Sequence, residues 1–338
     1  MAHSDELTIA LVGCGGIAQA HWRGIEAHAG RVRVAAVVDS DPRKAEEMAA
    51  KTGAGAFASL AAALDHGGFD AVDIMLPHEA HEEAAVSAFR AGKHVVLEKP
   101  MATSLDACDR IMAAARSAGT VFMVAEQSQY WPDAVRTGQL IREGAIGEVI
   151  GARSVFGGKA GSGWGSNPWR YNKRITGGGI CIDGGSHWIR PLRMWLGEID
   201  EVVAVLGYPL KEMEGESFAR ALFRFRSGII ASFEAIRAGA VNPPGEDFRV
   251  TGTKGEIIVE KGSGGRALLY DADHRDGLEI LDNGESRDSA IGLELADFAS
   301  AVLDGTSLTA GPEESLGELR TALAMYRSAE TRRWEKVW

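Results

Sequence analysis

The chain has 338 residues, room for two domains, and its 45% hydrophobic and 25% charged residues exclude disorder as the default state. A formal net charge of -11 argues against a general nucleic-acid binder, which needs a basic surface to displace phosphate counterions. Three cysteines, Cys14, Cys108 and Cys181, lie far apart without C-x-x-C spacing, so neither a zinc site nor a disulfide framework is expected.

In chain order, apolar runs at 7–13, 32–39, 70–76, 94–99 and 121–127 predict buried strands. Helical patterns at 16–29, 42–51, 79–91 and 104–118 separate them. Strands alternating with helices predict βαβ units and a parallel sheet covered on both faces. Beyond 127 the rhythm changes. A helix is expected over 132–143, a strand over 148–158, an aromatic glycine-rich loop over 157–179 and a helix over about 180–196. From 199 strands follow one another through short turns, predicting a mostly antiparallel sheet, and two helices close the chain near 291–304 and 312–332. The expected domains are therefore 1–127, a Rossmann dinucleotide-binding domain, and 128–338, an α/β domain with an open, mostly antiparallel sheet. The beginning MAHSDELTIALVGCGG has no basic segment followed by an apolar stretch, and no run has the length of a membrane span, so a cytoplasmic protein without a membrane partner is expected.

The first strand runs into GCGGIA (13–18), which fits G-x-G-x-x-G/A at Gly13, Gly15 and Ala18. Such a turn lets the backbone approach a pyrophosphate, and the following helix offers its free N–H groups. The second strand ends in Asp39, placed to accept hydrogen bonds from ribose hydroxyls and to repel a 2′-phosphate. NAD is the expected cofactor; NADP is less favoured, although Arg43 lies near Asp39. A later strand ends in Glu98-Lys99-Pro100, where α/β sheets bind ligands. A lysine there can serve as a general acid or base.

GKHVVLEKP, taken with GCGGIA, resembles the glucose–fructose oxidoreductase/inositol dehydrogenase (Gfo/Idh/MocA) family. LPHEAHEEAAVSAFRAGKHVVLEKPMATSLDACDRI, GAIGEV, GGGICIDGGSHWIRPLRMWLG and VTGTKGEIIVE extend the resemblance over most of the chain. It implies an NAD(P)-binding domain followed by an open-sheet domain that mediates homodimers or homotetramers. It also implies oxidation or reduction of a secondary hydroxyl on a sugar, inositol or related polyol. Carried over by motif, Lys99 belongs to the E-K-P element, His81 to P-x-x-x-H, and Asp183 and His187 to D-x-x-x-H. A cis Lys99–Pro100 bond is expected with it. Cofactor contacts are then expected from Gly13, Gly15, Gly16, Ile17, Ala18, Asp39, Pro77, His81, Glu98 and Lys99.

If 180–196 is helical, Asp183 and His187 share one face, with Thr176 as N-cap and Gly197 as C-terminal stop. No third metal ligand is evident, and hydride transfer to NAD needs no metal. The expected roles are His187 as the proton acceptor, Lys99 as the group that holds and polarises the oxygen or shares the proton, and Asp183 as the group that positions substrate hydroxyls or orients the histidine. Trp131, Trp164, Trp169 and Arg170 lie in or beside loops and are expected to flank the substrate. Trp195 reads as core. Arg190 stands where many family members carry an acid, and reads either as the partner of a structural acid or as a carboxylate binder. Two alternatives use the same equipment: a redox-neutral glycosidase or sugar-to-sugar oxidoreductase with tightly held NAD, and a non-enzymatic NAD-linked sensor.

Overall fold

The computed structural model describes residues 5–160, 167–240, 245–262, 264–281 and 284–338. They form two compact units. The first holds the residues up to Ala125 together with Ser289–Leu316, and the second holds Glu126–Asp288 and Gly317–Trp338.

In the first unit the chain alternates β1 (Leu7–Val12), α1 (Gly16–His28), β2 (Val32–Val38), α2 (Pro42–Thr52), β3 (Gly55–Phe57), α3 (Leu60–His66), β4 (Ala71–Ile74), α4 (His81–Arg90), β5 (His94–Glu98), α5 (Leu105–Ala118) and β6 (Phe122–Ala125). The strands stand in the order β3-β2-β1-β4-β5-β6, all parallel. The order reverses at β1, which has β2 on one side and β4 on the other, and that reversal opens a ligand crevice at the strands' carboxyl ends. Leu7, Leu11, Ile74 and Leu97 are fully buried, as continuous apolar strands in a doubly covered sheet must be. Helix ends follow their side chains. Asp41 accepts from Arg43 N ahead of α2 and Ser104 from Ala107 N ahead of α5, while Gly53 and Gly119 close these helices in the left-handed region. The short β3 and α3 carry no long apolar pattern, and the sequence reading had no element between 52 and 70.

A helix near the end of the chain, α9 (Ala290–Asp304), belongs to this first unit, whereas the sequence reading gave every residue after 127 to the second. Ile291, Leu295, Phe298 and Ala299 join the core made by β1, β2 and α1. An apolar stripe on a helix does not say which sheet it will cover. A pair of glycines lets α9 meet α1 closely: a Cβ on Gly24 would lie 2.8 Å from Gly292 N.

The second unit is built on nine strands in the order β14-β13-β12-β11-β7-β10-β9-β8-β15. These are β7 (Val149–Lys159), β8 (Ile199–Gly207), β9 (Phe218–Phe225), β10 (Ile230–Ala238), β11 (Glu246–Gly252), β12 (Gly255–Glu260), β13 (Ala267–Asp271), β14 (Leu278–Glu279) and β15 (Glu335–Lys336). Only β7 and β10 pair in parallel; the other neighbours are antiparallel. On one face Ala219, Ala221, Phe223 and Phe225 of β9 and Ala231, Phe233 and Ala235 of β10 are buried, following the two-residue period. The helices of this unit are α6 (Pro132–Arg142), α7 (Lys173–Thr176), α8 (Ser186–Leu196) and the part of α10 (Ser315–Thr331) from Gly317 onward.

Here one expectation fails. The helix does not start at 180. Residues 177–185 form a turn with bends, and α8 begins only at Ser186, after Gly185. Thr176 is the last residue of α7, with its hydroxyl on Gly178 O at 2.6 Å, and is not an N-cap. Asp183 and His187 are thus not two residues of one helix face. Gly197 does end α8, at φ 86°.

Candidate active site

The dinucleotide end is built from the carboxyl ends of β1, β2, β4 and β5. Gly13 sits at φ 95°, and a Cβ there would lie 2.5 Å from Met75 O, so only glycine allows the chain to turn out of β1. A Cβ on Gly15 or Gly16 would meet nothing within 4 Å, which leaves open space over the first turn of α1. Gly15 caps that helix without a side-chain hydrogen bond, so its N–H groups face that space. Ile17 and Ala18 follow in the same turn, Ala18 wholly buried. Asp39 Oδ2 accepts from Cys14 N at 2.9 Å and Oδ1 from Asp41 N at 2.8 Å, which ties the acid to the glycine turn. Each oxygen keeps a lone pair for a ribose hydroxyl. Arg43 is exposed and pairs with Asp41 at 3.3 Å. These features fit a dinucleotide.

Pro77 starts a short 3-10 turn after β4. His81 is fully buried, with Nδ1 2.9 Å from Pro100 O and Nε2 2.9 Å from Leu76 O. It ties the chain after β4 to the chain after β5 and presents no open surface. Burial lowers its pKa, outweighing the two carbonyls. The ring is therefore neutral and donates to one of them. The Lys99–Pro100 bond is cis. Lys99 and Glu98 are 7% and 9% exposed. Glu98 Oε2 accepts from Lys99 N at 3.0 Å, and Glu98 Oε1 lies 3.2 Å from His21 Nε2. His21 is fully buried, with Nδ1 2.8 Å from Asp73. Desolvation pushes the His21 pKa down, but Asp73 and then Glu98 overcome it and raise it well above 6.5, so the ring is an imidazolium. Nothing in the sequence alone linked His21 and Asp73 to the E-K-P element.

In the second unit His187, on the first turn of α8, has Nδ1 2.5 Å from Glu126 Oε1. A carboxylate can only accept, so Nδ1 carries the hydrogen, and in the neutral tautomer this leaves Nε2 as the acceptor nitrogen. Glu126 is held in turn by Ser128, whose N and Oγ donate to the same oxygen at 3.2 and 2.6 Å. Asp183 is paired with Arg170, whose guanidinium lies 4.5 Å from the Trp169 ring centroid. Asp183, Arg170, Phe156, Tyr171, Ile180, Gly184, Met213 and Arg237 line one pocket.

The glycines of GGGICIDGG now have local causes. Glu216 Oε2 accepts from Gly179 N at 2.9 Å and Oε1 from Cys181 N at 2.9 Å, while Tyr326 donates to Oε1 at 3.1 Å. A Cβ on Gly178 would run into the Tyr326 hydroxyl, one on Gly179 into the Glu216 main chain, and one on Gly184 into the Phe156 ring. The run lies against neighbours with no room for side chains. Burial raises the Glu216 pKa, partly countered by the Cys181 N–H and the other donors.

The aromatic expectations divide. Trp131 is 6% exposed and packs behind His187 at 6.0 Å between ring centroids, with Arg287 3.9 Å over its face. Its rings are taken by protein neighbours, so it supports the histidine from behind. Trp188 packs against Phe156 with the rings tilted by 35° and their centroids 4.4 Å apart. Trp195 is core, its Nε1 donating to Ala134 O at 2.8 Å. Trp169 is half-buried beside Arg170, and Trp164 lies outside the described residues. Arg190 is 3% exposed and pairs with Glu318 at 3.0 Å, so it is the partner of a structural acid.

The model of the oxidoreductase family with an NAD-binding Rossmann fold matches residues 7–126, and that of the GFO/IDH/MocA C-terminal domain matches residues 135–258. A 1,5-anhydro-D-fructose reductase of Ensifer adhaerens is 31% identical over 271 residues, 78% of each chain. The chain belongs to the GFO/IDH/MocA family. It is an NAD(P)-dependent oxidoreductase by that membership. A levoglucosan dehydrogenase of Pseudarthrobacter phenanthrenivorans is 26% identical over 251 residues, 66% of this chain and, just under two thirds, 63% of that one. A solved NAD-binding oxidoreductase from Klebsiella pneumoniae superposes with a TM-score of 0.86 at 28% identity, covering 99% of this chain and 100% of that one.

Beside the motif residues, sequence reasoning missed Glu126, Glu216, Tyr326, His21 and Asp73. Each acts through a partner far away in the chain, and no spacing rule reaches such pairs. Among the described residues no group of three His, Cys, Asp or Glu side chains could hold a metal, and no helix is long and apolar enough to cross a membrane.

Proposed function

We propose that this family member transfers hydride between NAD and a secondary carbinol of a cyclic sugar or related polyol. The observation that carries the reading is the His187–Glu126 pair, a histidine whose Nδ1 is held by a carboxylate so that Nε2 is the nitrogen left to meet a substrate. The names of the two curated relatives support a carbohydrate substrate, since both denote enzymes of anhydrosugars. Gly13, Gly15, Gly16, Ile17, Ala18 and Asp39 hold the dinucleotide, with Glu98 and Lys99 at the end of β5 toward its reactive ring. Asp39 favours NAD over NADP.

Bound NAD supplies the hydride acceptor. His187 Nε2 takes the hydroxyl proton as the carbinol becomes a carbonyl. Lys99 donates a hydrogen bond to the same oxygen and steadies the charge that builds there. Glu126 holds the imidazole in its useful tautomer and stabilises the imidazolium that forms. Asp183, fixed by Arg170, accepts from a neighbouring substrate hydroxyl.

The test is NADH formation by the purified protein across hexoses, uronates, inositols, anhydrosugars and glycosides. Net NADH with one cyclic class supports the reading. Glycoside cleavage without net NADH, by protein that retains its NAD through purification, would replace it with the redox-neutral reading.

A further inference from the structure

The pocket beside Asp183 holds one positive charge more than it holds negative. Among the described residues its two basic groups are Arg170 and Arg237, and its acid is Asp183. Arg170 is matched by Asp183. Arg237 has no ion pair among the described residues, and its Nε is buried without a hydrogen-bond partner.

The position of Arg237 follows from the strand. Along β10 the alternation sends Phe233 and Ala235 into the core, and Arg237 is the next residue on that side. Opposite it on β7 stands Gly158, where a Cβ would meet nothing within 4 Å. The guanidinium passes 5.8 Å from the Phe156 ring centroid. A strand face that is apolar for two inward positions therefore ends in a cation with no counter-charge. Leaving a buried guanidinium N–H unmatched is costly, and an acceptor that binds the group offsets that cost.

We propose that Arg237 is a specificity residue that receives a carboxylate carried by the substrate, so that the preferred substrates are sugar acids of the uronate type. The planar fork of an arginine matches the two oxygens of a carboxylate, here through its two Nη nitrogens. Asp183 meets a hydroxyl, and Arg237 meets the acid. This assignment gives to Arg237 the carboxylate role that Arg190, buried against Glu318, does not have. It rests on the dehydrogenase reading for its kinetic test but not for its binding test.

The experiment compares kcat/KM for matched pairs, glucuronate against glucose and galacturonate against galactose, on the NAD-loaded full chain. The wild type is expected to prefer the acid by about fifty-fold, the worth of one charge-assisted contact. In Arg237→Met the ratio should fall close to one, mostly through KM, and Arg237→Lys should keep part of it. NADH titration followed by fluorescence checks that each variant is folded. An unchanged ratio in Arg237→Met, a wild-type preference for the neutral sugars, or a stronger preference for glucose 6-phosphate than for glucuronate would overturn the proposal. If no sugar of either pair is oxidised, equilibrium dialysis on the NADH-loaded protein decides. Glucuronate retained by the wild type and lost by Arg237→Met upholds the acid site while the dehydrogenase reading falls; equal retention of glucose and glucuronate overturns the acid site itself.

Discussion

His187 depends on a residue that no motif announces. Glu126 stands 2.5 Å from its Nδ1, and without that acceptor the ring is free to hold its proton on the wrong nitrogen. Glu126→Gln is therefore expected to lower kcat by about one to two orders of magnitude with little change in KM, as loss of a positioning group does. Steady-state kinetics check it, and an unchanged kcat would contradict the role. His21 gives a second prediction at this scale. Its pKa is raised above 6.5 by Asp73 and Glu98 in the fold, against the pull of burial. A group raised on folding contributes stability that is whole below the unfolded value and is lost as pH climbs through the folded one. The deficit of His21→Gln relative to the wild type should thus be largest in mildly acidic buffer and shrink in alkaline buffer. Urea melts over that range measure it, and a deficit that grows with pH would contradict the imidazolium.

At the scale of elements, the turn before α8 shows where the sequence was legible and where it was not. Most strands and helices of the first unit are readable because each carries an apolar run or stripe, whereas β3 and α3 carry none of useful length. The start of α8 was not readable. A D-x-x-x-H spacing looks helical by arithmetic, yet the backbone of 177–185 is spent on Glu216, which takes the N–H groups of Gly179 and Cys181. Asp183 reaches the pocket from a turn, so it shares no helix face with His187, and Thr176 closes α7 instead of capping α8. Gly179→Ala would press a methyl group on the Glu216 main chain. We expect a loss of about 1–3 kcal/mol in stability, typical of overpacking, with a fall in turnover as Asp183 shifts. Thermal melts and kcat together test it. The buried cluster under α8 gives a firmer number. Glu318 meets both Arg190 and Arg193, all less than a tenth exposed. Removing it in Glu318→Ala leaves two buried cations uncompensated on that side and should cost about 3–5 kcal/mol in chemical denaturation.

For the whole molecule, the sequence carried the two sheets and their families of strands but not the return of α9 to the first unit. Only packing decides which sheet an apolar stripe covers. The outer face of the nine-stranded sheet bears on assembly. Val203, Leu222, Ser232 and Arg153 line up across β8, β9, β10 and β7, and Val205 and Leu222 are 66% and 42% exposed. We propose that this face joins two copies of the chain. Leu222→Glu with Val205→Glu should then shift the protein to monomer in light scattering, and an unaltered mass would contradict the assignment.

In the proposed function hydride passes to NAD while His187 and Lys99 handle the proton. The most direct measurement is turnover with NAD and a responding sugar for the wild type, His187→Ala and Lys99→Ala, alongside NADH binding by each. The wild type should form NADH, both variants should lose at least a hundredfold in kcat, and His187→Ala should bind NADH within a few fold of the wild type. Turnover close to wild type in both variants would contradict these roles.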